Sequence, residues 1–316
     1  MADILGLVLP FFGVIFLGYA VARIRKMPLD ALGWMNIFII YVALPCLFFQ
    51  LLSKTPIEKL TEWTFIGASI AATYTAFGLI FVIGFFRNDR DLAVPTIQGL
   101  AASYGNIGYM GPGIALLAFG EAAAVPVALI FCFENMLHFA VAPMLMALSG
   151  NDKRAPLLLA RDVATKILLH PFIVATFIGV SAAALQWQPP QAVNAMVEIL
   201  ARAAAPCALF AMGVTLAMRP LKSVPLELGY IVPVKLIVHP VLCYFAMQTM
   251  GDFDPVWVAS AVLLAALPTA TNVFVIAQQY QVWVERASAT ILVSTVFSVL
   301  TVTALLYAIK SGVLPL

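Results

Sequence analysis

The residues of this chain that could do chemistry are few, and almost all lie in apolar surroundings. Ala101-Ala102-Ser103-Tyr104-Gly105-Asn106-Ile107-Gly108-Tyr109-Met110-Gly111-Pro112-Gly113 places four glycines and one proline within nine residues. Each glycine costs a helix about 1 kcal/mol relative to alanine and a proline about 3, so a regular helix is expected to break here. Ala265-Ala266-Leu267-Pro268-Thr269-Ala270-Thr271-Asn272 carries a second proline, flanked by three polar side chains. A break frees backbone N–H groups at the start of the following half-helix, where the dipole is worth about half a positive charge. Two such ends, with the amides of Asn106 and Asn272, could hold a carboxylate without any full cation. Neither 92–119 nor 256–281 contains Asp, Glu, Lys, Arg or His, which favours an anionic or neutral guest over a bare cation. Candidate substrate contacts are therefore Asn106, Gly108, Pro112, Pro268, Thr269, Thr271 and Asn272. The competing reading is that glycine and proline are tolerated kinks, with asparagine as interhelical glue.

A second group is ionisable. Glu134 and His138 stand four apart with Asn135 between them, and Lys235 precedes His239 by four. A charge inside a bilayer costs several kcal/mol unless paired, so such residues are functional candidates. Glu134, Asn135, His138 and Lys235 are read as a coupling or supporting cluster behind the break, Glu134 pairing with Lys235. Lys235 could instead snorkel to the interface, and the histidines could be hydrogen-bonded core residues. Glu198 and Arg202 are also four apart and are expected to neutralise each other on one helix face. His170-Pro171 and His239-Pro240 have no third ligand at metal spacing, so neither a metal nor a cofactor is expected. There is no His-Glu-x-x-His, no Gly-x-Ser-x-Gly and no pair of buried aspartates, which excludes the common hydrolytic enzymes. Cys46, Cys132, Cys207 and Cys243 all fall in apolar runs and read as packing residues.

The elements that must position these residues follow from composition. Of 316 residues, 63% are hydrophobic and 10% charged, against about 45–50% and 25% in soluble domains. Polar residues are too few to cover an exterior in water. A net charge of +2 with no basic stripe excludes a nucleic-acid partner. Apolar runs predict ten membrane-spanning helices near 3–22, 31–52, 63–86, 92–119, 124–148, 163–185, 192–218, 228–250, 255–281 and 287–310. The fold class is thus an all-α polytopic membrane protein, because lipid offers open backbone groups no partner. The first run reads as a span and not a cleaved leader, since Arg23, Arg25 and Lys26 follow it and no basic residue precedes it. One set of connections holds Arg23, Arg25, Lys26, Arg87, Arg90, Lys153, Arg154, Arg161, Lys166, Arg219, Lys222 and Arg286; the other holds Lys54, Lys59 and Lys310. The positive-inside rule then puts both termini outside. Trp63, Trp187, Trp257 and Trp283 are expected at the interfaces.

The chain also repeats itself. Pro10-Phe11, Phe16, Gly18 and Ala22 recur as Pro171-Phe172, Phe177, Gly179 and Ala183, an offset of 161. Ala43-Leu44-Pro45-Cys46 and Phe49 recur at the same offset as Ala204-Ala205-Pro206-Cys207 and Phe210. Five spans per unit is an odd number, so the second unit (153–316) must enter the membrane inverted relative to the first (1–152). Interrupted spans at corresponding places of inverted repeats mark the binding site of a transporter. Here the interrupted spans are the fourth and the ninth.

Leu9-Pro10 with Gly18-Tyr19, Leu44-Pro45, Gly105-Asn106-x-Gly with Pro112, and Ala266-Leu267-Pro268 with Asn272 together resemble the auxin efflux carrier family, along essentially the whole chain. That family includes plant auxin exporters and bacterial carriers of malonate and similar acids. The resemblance implies crossed, broken helices four and nine, a scaffold domain (spans 1, 2, 6 and 7) and a transport domain (spans 3–5 and 8–10). It also implies elevator-type movement and a homodimer in the lipid of a bacterial cytoplasmic (inner) membrane. Pro112 and Pro268 match its crossover prolines, and Asn106 and Asn272 its flanking amides. Relatives carry an acid on span three, which 63–86 lacks; Glu134 is read as its replacement. The expected function is a secondary transporter of small organic anions, such as malonate or auxin-like weak acids. An inside-negative voltage alone would drive efflux of a monovalent anion by about 2.3 kcal/mol per 100 mV, whereas uptake would need a symported cation such as a proton. The alternative is a sodium- or proton-coupled symporter of the bile-acid crossed-helix type.

Overall fold

In the computed structural model, residues 2–88, 90–150, 152, 154–218 and 224–315 are described. The expected basic residues Lys153, Arg219 and Lys222 lie outside them, as does the side chain of Lys166. The described residues form helices and connections, with one isolated β-bridge. Six helical stretches are long and apolar enough to cross a membrane: Gly33–Leu52 (α2), Trp63–Arg87 (α3), Glu121–Leu148 (α6), Gln191–Met218 (α9), Leu228–Met250 (α10) and Val284–Lys310 (α13). The other helices are α1 (Ala2–Arg25), α4 (Ala93–Ser103), α5 (Ile107–Phe119), α7 (Pro156–Leu168), α8 (Pro171–Ala184), α11 (Pro255–Ala266) and α12 (Thr271–Tyr280). Helices α2 and α10 each contain a π-helical turn, at Ile39–Ala43 and Val234–Val238. Both turns end two residues before a proline, Pro45 and Pro240. A proline lacks the N–H and crowds the carbonyl four residues back, so a widened turn on its N-terminal side is the natural relief.

Two compact units draw on both halves of the chain. The first comprises residues 1–63, 108–132 and 168–220. Its helices approach through glycine: a Cβ added at Gly213 of α9 would lie 1.9 Å from the Ile15 carbonyl oxygen, and one at Gly18 of α1 would lie 2.3 Å from that of Phe210. At Gly179 of α8 an added Cβ would lie 3.4 Å from the Phe49 backbone. Gly18 and Gly179 are related by the offset of 161, and so are Phe49 and Phe210. Each glycine therefore packs on the phenylalanine of the other copy. Phe48, Phe131 and Phe172 complete this core, with ring centroids 4.8–5.8 Å apart.

The second unit comprises residues 64–107, 133–167 and 221–316. At one end Glu227 receives Arg286 at 2.9 Å and the Trp283 indole at 2.7 Å, while Arg87 lies over the Tyr230 ring. Arg87 and Arg286, expected on the same side of the membrane, thus share one end of this unit. Three expectations need correcting. The sixth span is not continuous, because Leu169-His170 separates α7 from α8; His170 is extended (ψ 127°) ahead of Pro171, as steric clash with a following proline demands. Trp257 is no interfacial anchor but is buried against Phe65, with ring centroids 4.8 Å apart. Helix α5 runs regularly through Gly108, Gly111, Pro112 and Gly113, so the break precedes these residues and does not contain them.

The glycine contacts are testable. Gly213→Ala forces overpacking of about 1–3 kcal/mol or more, and the detergent-solubilised protein should melt several degrees lower. Gly67→Ala, whose added Cβ meets nothing within 4 Å, should not lower the midpoint, as followed by fluorescence-detected size exclusion.

Candidate functional site

The two interrupted segments meet within the second unit. Helix α4 ends at Ser103 and α5 begins at Ile107; α11 ends at Ala266 and α12 begins at Thr271. Between these ends, Gly105 and Thr269 form an antiparallel bridge. The Asn106 N–H donates to the Pro268 carbonyl at 2.8 Å, and the Ala270 N–H to the Tyr104 carbonyl at 2.9 Å. Each break thereby satisfies the other, as buried backbone groups require. Gly105 is needed for the close approach, since a Cβ there would sit 3.0 Å from the Leu264 carbonyl oxygen. Carbonyls left over at the half-helix ends also find donors. The Thr269 hydroxyl donates to Ala101 at 2.7 Å, and the Lys235 ammonium to Ala265 at 2.6 Å. The Thr269 N–H is held by Ser294 Oγ at 3.2 Å.

The N–H groups of Asn106, Thr269 and Ala270 are occupied by the protein. In the first turns of α5 and α12, the Ile107 N–H donates to the Gly105 carbonyl at 2.7 Å and the Val273 N–H to the Ala270 carbonyl at 3.1 Å. Of the sequence candidates, Asn106, Pro268, Thr269 and Asn272 are brought to the crossing, and Thr271 is the first residue of α12. Gly108 and Pro112 belong to the first unit; Pro112 lies inside α5 and is not a residue of the break.

Tyr104, which the sequence reading passed over, organises the side chains. Its hydroxyl donates to Asn135 Oδ1 and accepts from Asn272 Nδ2 at 2.7 Å. Its ring stacks on His138 at 4.1 Å, and His138 Nδ1 is 3.3 Å from the Tyr74 hydroxyl. A polar side chain immediately before Gly-Asn at a break was the available signal.

Behind the crossing lies a continuous buried chain. Lys235 Nζ is 3.2 Å from His239 Nδ1, His239 Nε2 is 3.0 Å from Thr73 Oγ1, and Thr73 Oγ1 donates to Glu134 Oε1 at 2.8 Å. Ser69 Oγ donates to the same oxygen at 2.6 Å. Glu134, Lys235 and His239 are at most 3% exposed. Glu134 and Lys235 are therefore joined through His239 and Thr73, and Lys235 does not snorkel. The span that lacks an acid supplies two hydroxyls, Ser69 and Thr73, one turn apart; that spacing in an apolar helix was their signal. His138 stands apart from this chain, on the tyrosine side. Glu198 and Arg202 pair with each other in the first unit at 2.5 Å. Among the described residues no cluster of His, Cys, Asp or Glu could hold a metal, and all four cysteines are free.

A helical membrane protein whose interrupted helices pair at a buried, polar crossing belongs to the class of membrane transporters. The chain matches the family described as membrane transport protein over residues 3–133 and 134–306. It belongs to that family, the auxin efflux carriers. A protein of Rhizobium meliloti (strain 1021) named "Putative malonate transporter" is 62% identical over 315 residues, covering 100% of this chain and 98% of its own. An uncharacterized transporter of Escherichia coli K12, YfdV, is 24% identical over 94% of this chain and 95% of its own. One from Methanothermobacter thermautotrophicus is 21% identical over 92% and 93%. The family and these relatives are transporters and not enzymes, and the chain is an integral membrane transporter.

A buried ion pair that loses one member leaves an uncompensated charge, which costs about 3–5 kcal/mol. Lys235→Met alone should therefore sharply lower folded yield and melting temperature. Lys235→Met with Glu134→Gln should recover most of the loss, a non-additivity measurable in a double-mutant cycle.

Proposed function

We propose that the protein is a secondary carrier of small organic anions, with malonate or a similar dicarboxylate as substrate. The observation that carries this reading is the antiparallel pairing of Tyr104-Gly105-Asn106 with Pro268-Thr269-Ala270. It holds two half-helix N-termini beside the amides of Asn106 and Asn272, with no carboxylate in either broken segment. Donors and positive dipole ends without acid suit a carboxylate guest. The name of the relative that shares 62% of its residues supports malonate in particular. The Lys235 ammonium at the Ala265 carbonyl brings positive charge to this end of the crossing, which favours an anion carrier over a sodium symporter.

In this reading spans 3–5 and 8–10 form the transport domain, moving against a scaffold of spans 1, 2, 6 and 7. The exchanged Gly18–Phe210 and Gly179–Phe49 contacts support two inverted repeats of five spans. Both termini lie outside a bacterial cytoplasmic membrane, and the carrier works as a homodimer.

Counterflow of labelled malonate into malonate-loaded proteoliposomes tests the site. Asn272→Ala and Asn106→Ala should each lower the rate at least tenfold, with protein level and melting temperature retained. Rates equal to wild type in both variants would remove the crossing as the binding site.

A further inference from the structure

The buried chain from Lys235 to Glu134 has a hydrogen-bond direction that its two ends fix independently. An ammonium has three donors and no acceptor, and an ionised carboxylate only accepts. At the lysine end, His239 Nδ1 (3.2 Å from Nζ) must present its lone pair, so the ring proton sits on Nε2. At the glutamate end, the single Thr73 proton goes to Glu134 Oε1 at 2.8 Å, so Thr73 Oγ1 must accept from His239 Nε2 at 3.0 Å. Both deductions give one tautomer, and every link from Nζ to Oε1 is within hydrogen-bonding distance. The same heavy-atom positions also serve the reversed arrangement. Nζ–H breaks as Nδ1–H forms, Nε2–H breaks as Thr73 Oγ1–H forms, and the original Thr73 proton passes to Oε1. The net change is one proton moved from lysine to glutamate, with His239 left in its other tautomer and no electron transferred.

Building on the reading of the chain as an anion carrier, we infer that Lys235, His239, Thr73 and Glu134 form the path of a proton that travels with the anion. Lys235 also donates to the last turn of α11 at Ala265, and a Cβ placed on Gly105 would lie 3.5 Å from its Nζ. Transfer of the proton from Lys235 to Glu134 withdraws the positive charge beside the crossing, and its return restores it, so the proton's position is felt where the anion's charge must be offset. The other titratable groups around the chain are His138 one turn along from Glu134 on α6, Tyr74 beside Thr73, Tyr104 at the break and Cys243 one turn beyond His239. None of them supplies a link between Lys235 and Glu134. His138 faces Tyr74 and Tyr104 and is not part of the path.

The test uses malonate-loaded proteoliposomes, in which counterflow needs no driving ion, alongside accumulation driven by an imposed gradient, acid on the outside. Wild type should accumulate malonate in response to the gradient. Thr73→Val, which keeps shape but removes the hydroxyl, should lower the ratio of gradient-driven accumulation to counterflow at least tenfold. His239→Gln, which can still donate to Thr73 but cannot relay a proton, should do the same, and Thr73→Ser should restore the wild-type ratio. Nitrogen-15 spectra of wild type should show His239 protonated at Nε2. Wild-type accumulation indifferent to the gradient, unchanged ratios in both variants, or a His239 proton on Nδ1 would each overturn the relay. Absence of malonate counterflow in wild type would refute the substrate reading instead, and the His239 tautomer would still decide the relay.

Discussion

Everything in the second unit depends on one constraint: a backbone interrupted at membrane depth must find hydrogen-bond partners inside the protein. Two interruptions solve this together where one could not. Tyr104 and Asn106 exchange main-chain hydrogen bonds with Ala270 and Pro268, a fragment of β-ladder enclosed by helices. The remaining carbonyls take side-chain donors from Thr269 and Lys235. The main-chain groups at the crossing thus find partners within the protein, and the positive dipole ends of α5 and α12 adjoin it.

Lys235 links this backbone problem to the ionisable cluster. A fully buried ammonium is expensive unless paired and hydrogen-bonded. Here it donates to a carbonyl that the broken helix cannot serve, and beyond His239 and Thr73 it has the Glu134 carboxylate as counter-charge. Ser69 and Thr73 satisfy that carboxylate from a helix with no charge of its own. One buried cluster thus stabilises the C-terminal end of a half-helix and keeps a carboxylate within the membrane.

Much of this was legible in sequence because hydropathy and proline report on long, simple elements. Apolar runs located most of the helices, though those at 92–119, 163–185 and 255–281 each resolve into two, and Pro268 marked its break because it lies in it. Pro112 misled for a physical reason: a proline inside an apolar helix removes one hydrogen bond but need not end the helix, so α5 passes through it and the interruption falls at Gly105-Asn106 instead. Leu169-His170 was hidden because a two-residue gap hardly disturbs a hydropathy window. The cluster was half legible. Glu134 and Lys235 stand out by charge, whereas the joining atoms belong to threonine and serine, which any apolar helix tolerates. Tyr104 was missed because its role is relational, set by Asn135 and Asn272 from distant parts of the chain.

The widened turn at Val234–Val238 carries a consequence of its own. A π turn amounts to one extra residue taken up within a helix, and a single residue is worth about 100° of rotation around the axis. The azimuth of Lys235 relative to Pro240 and all that follows is therefore set by that surplus residue and by nothing in the hydropathy. A homologue one residue shorter here would look equally apolar and span as well, yet would have no widened turn at Lys235 and one side chain fewer between Pro233 and Pro240.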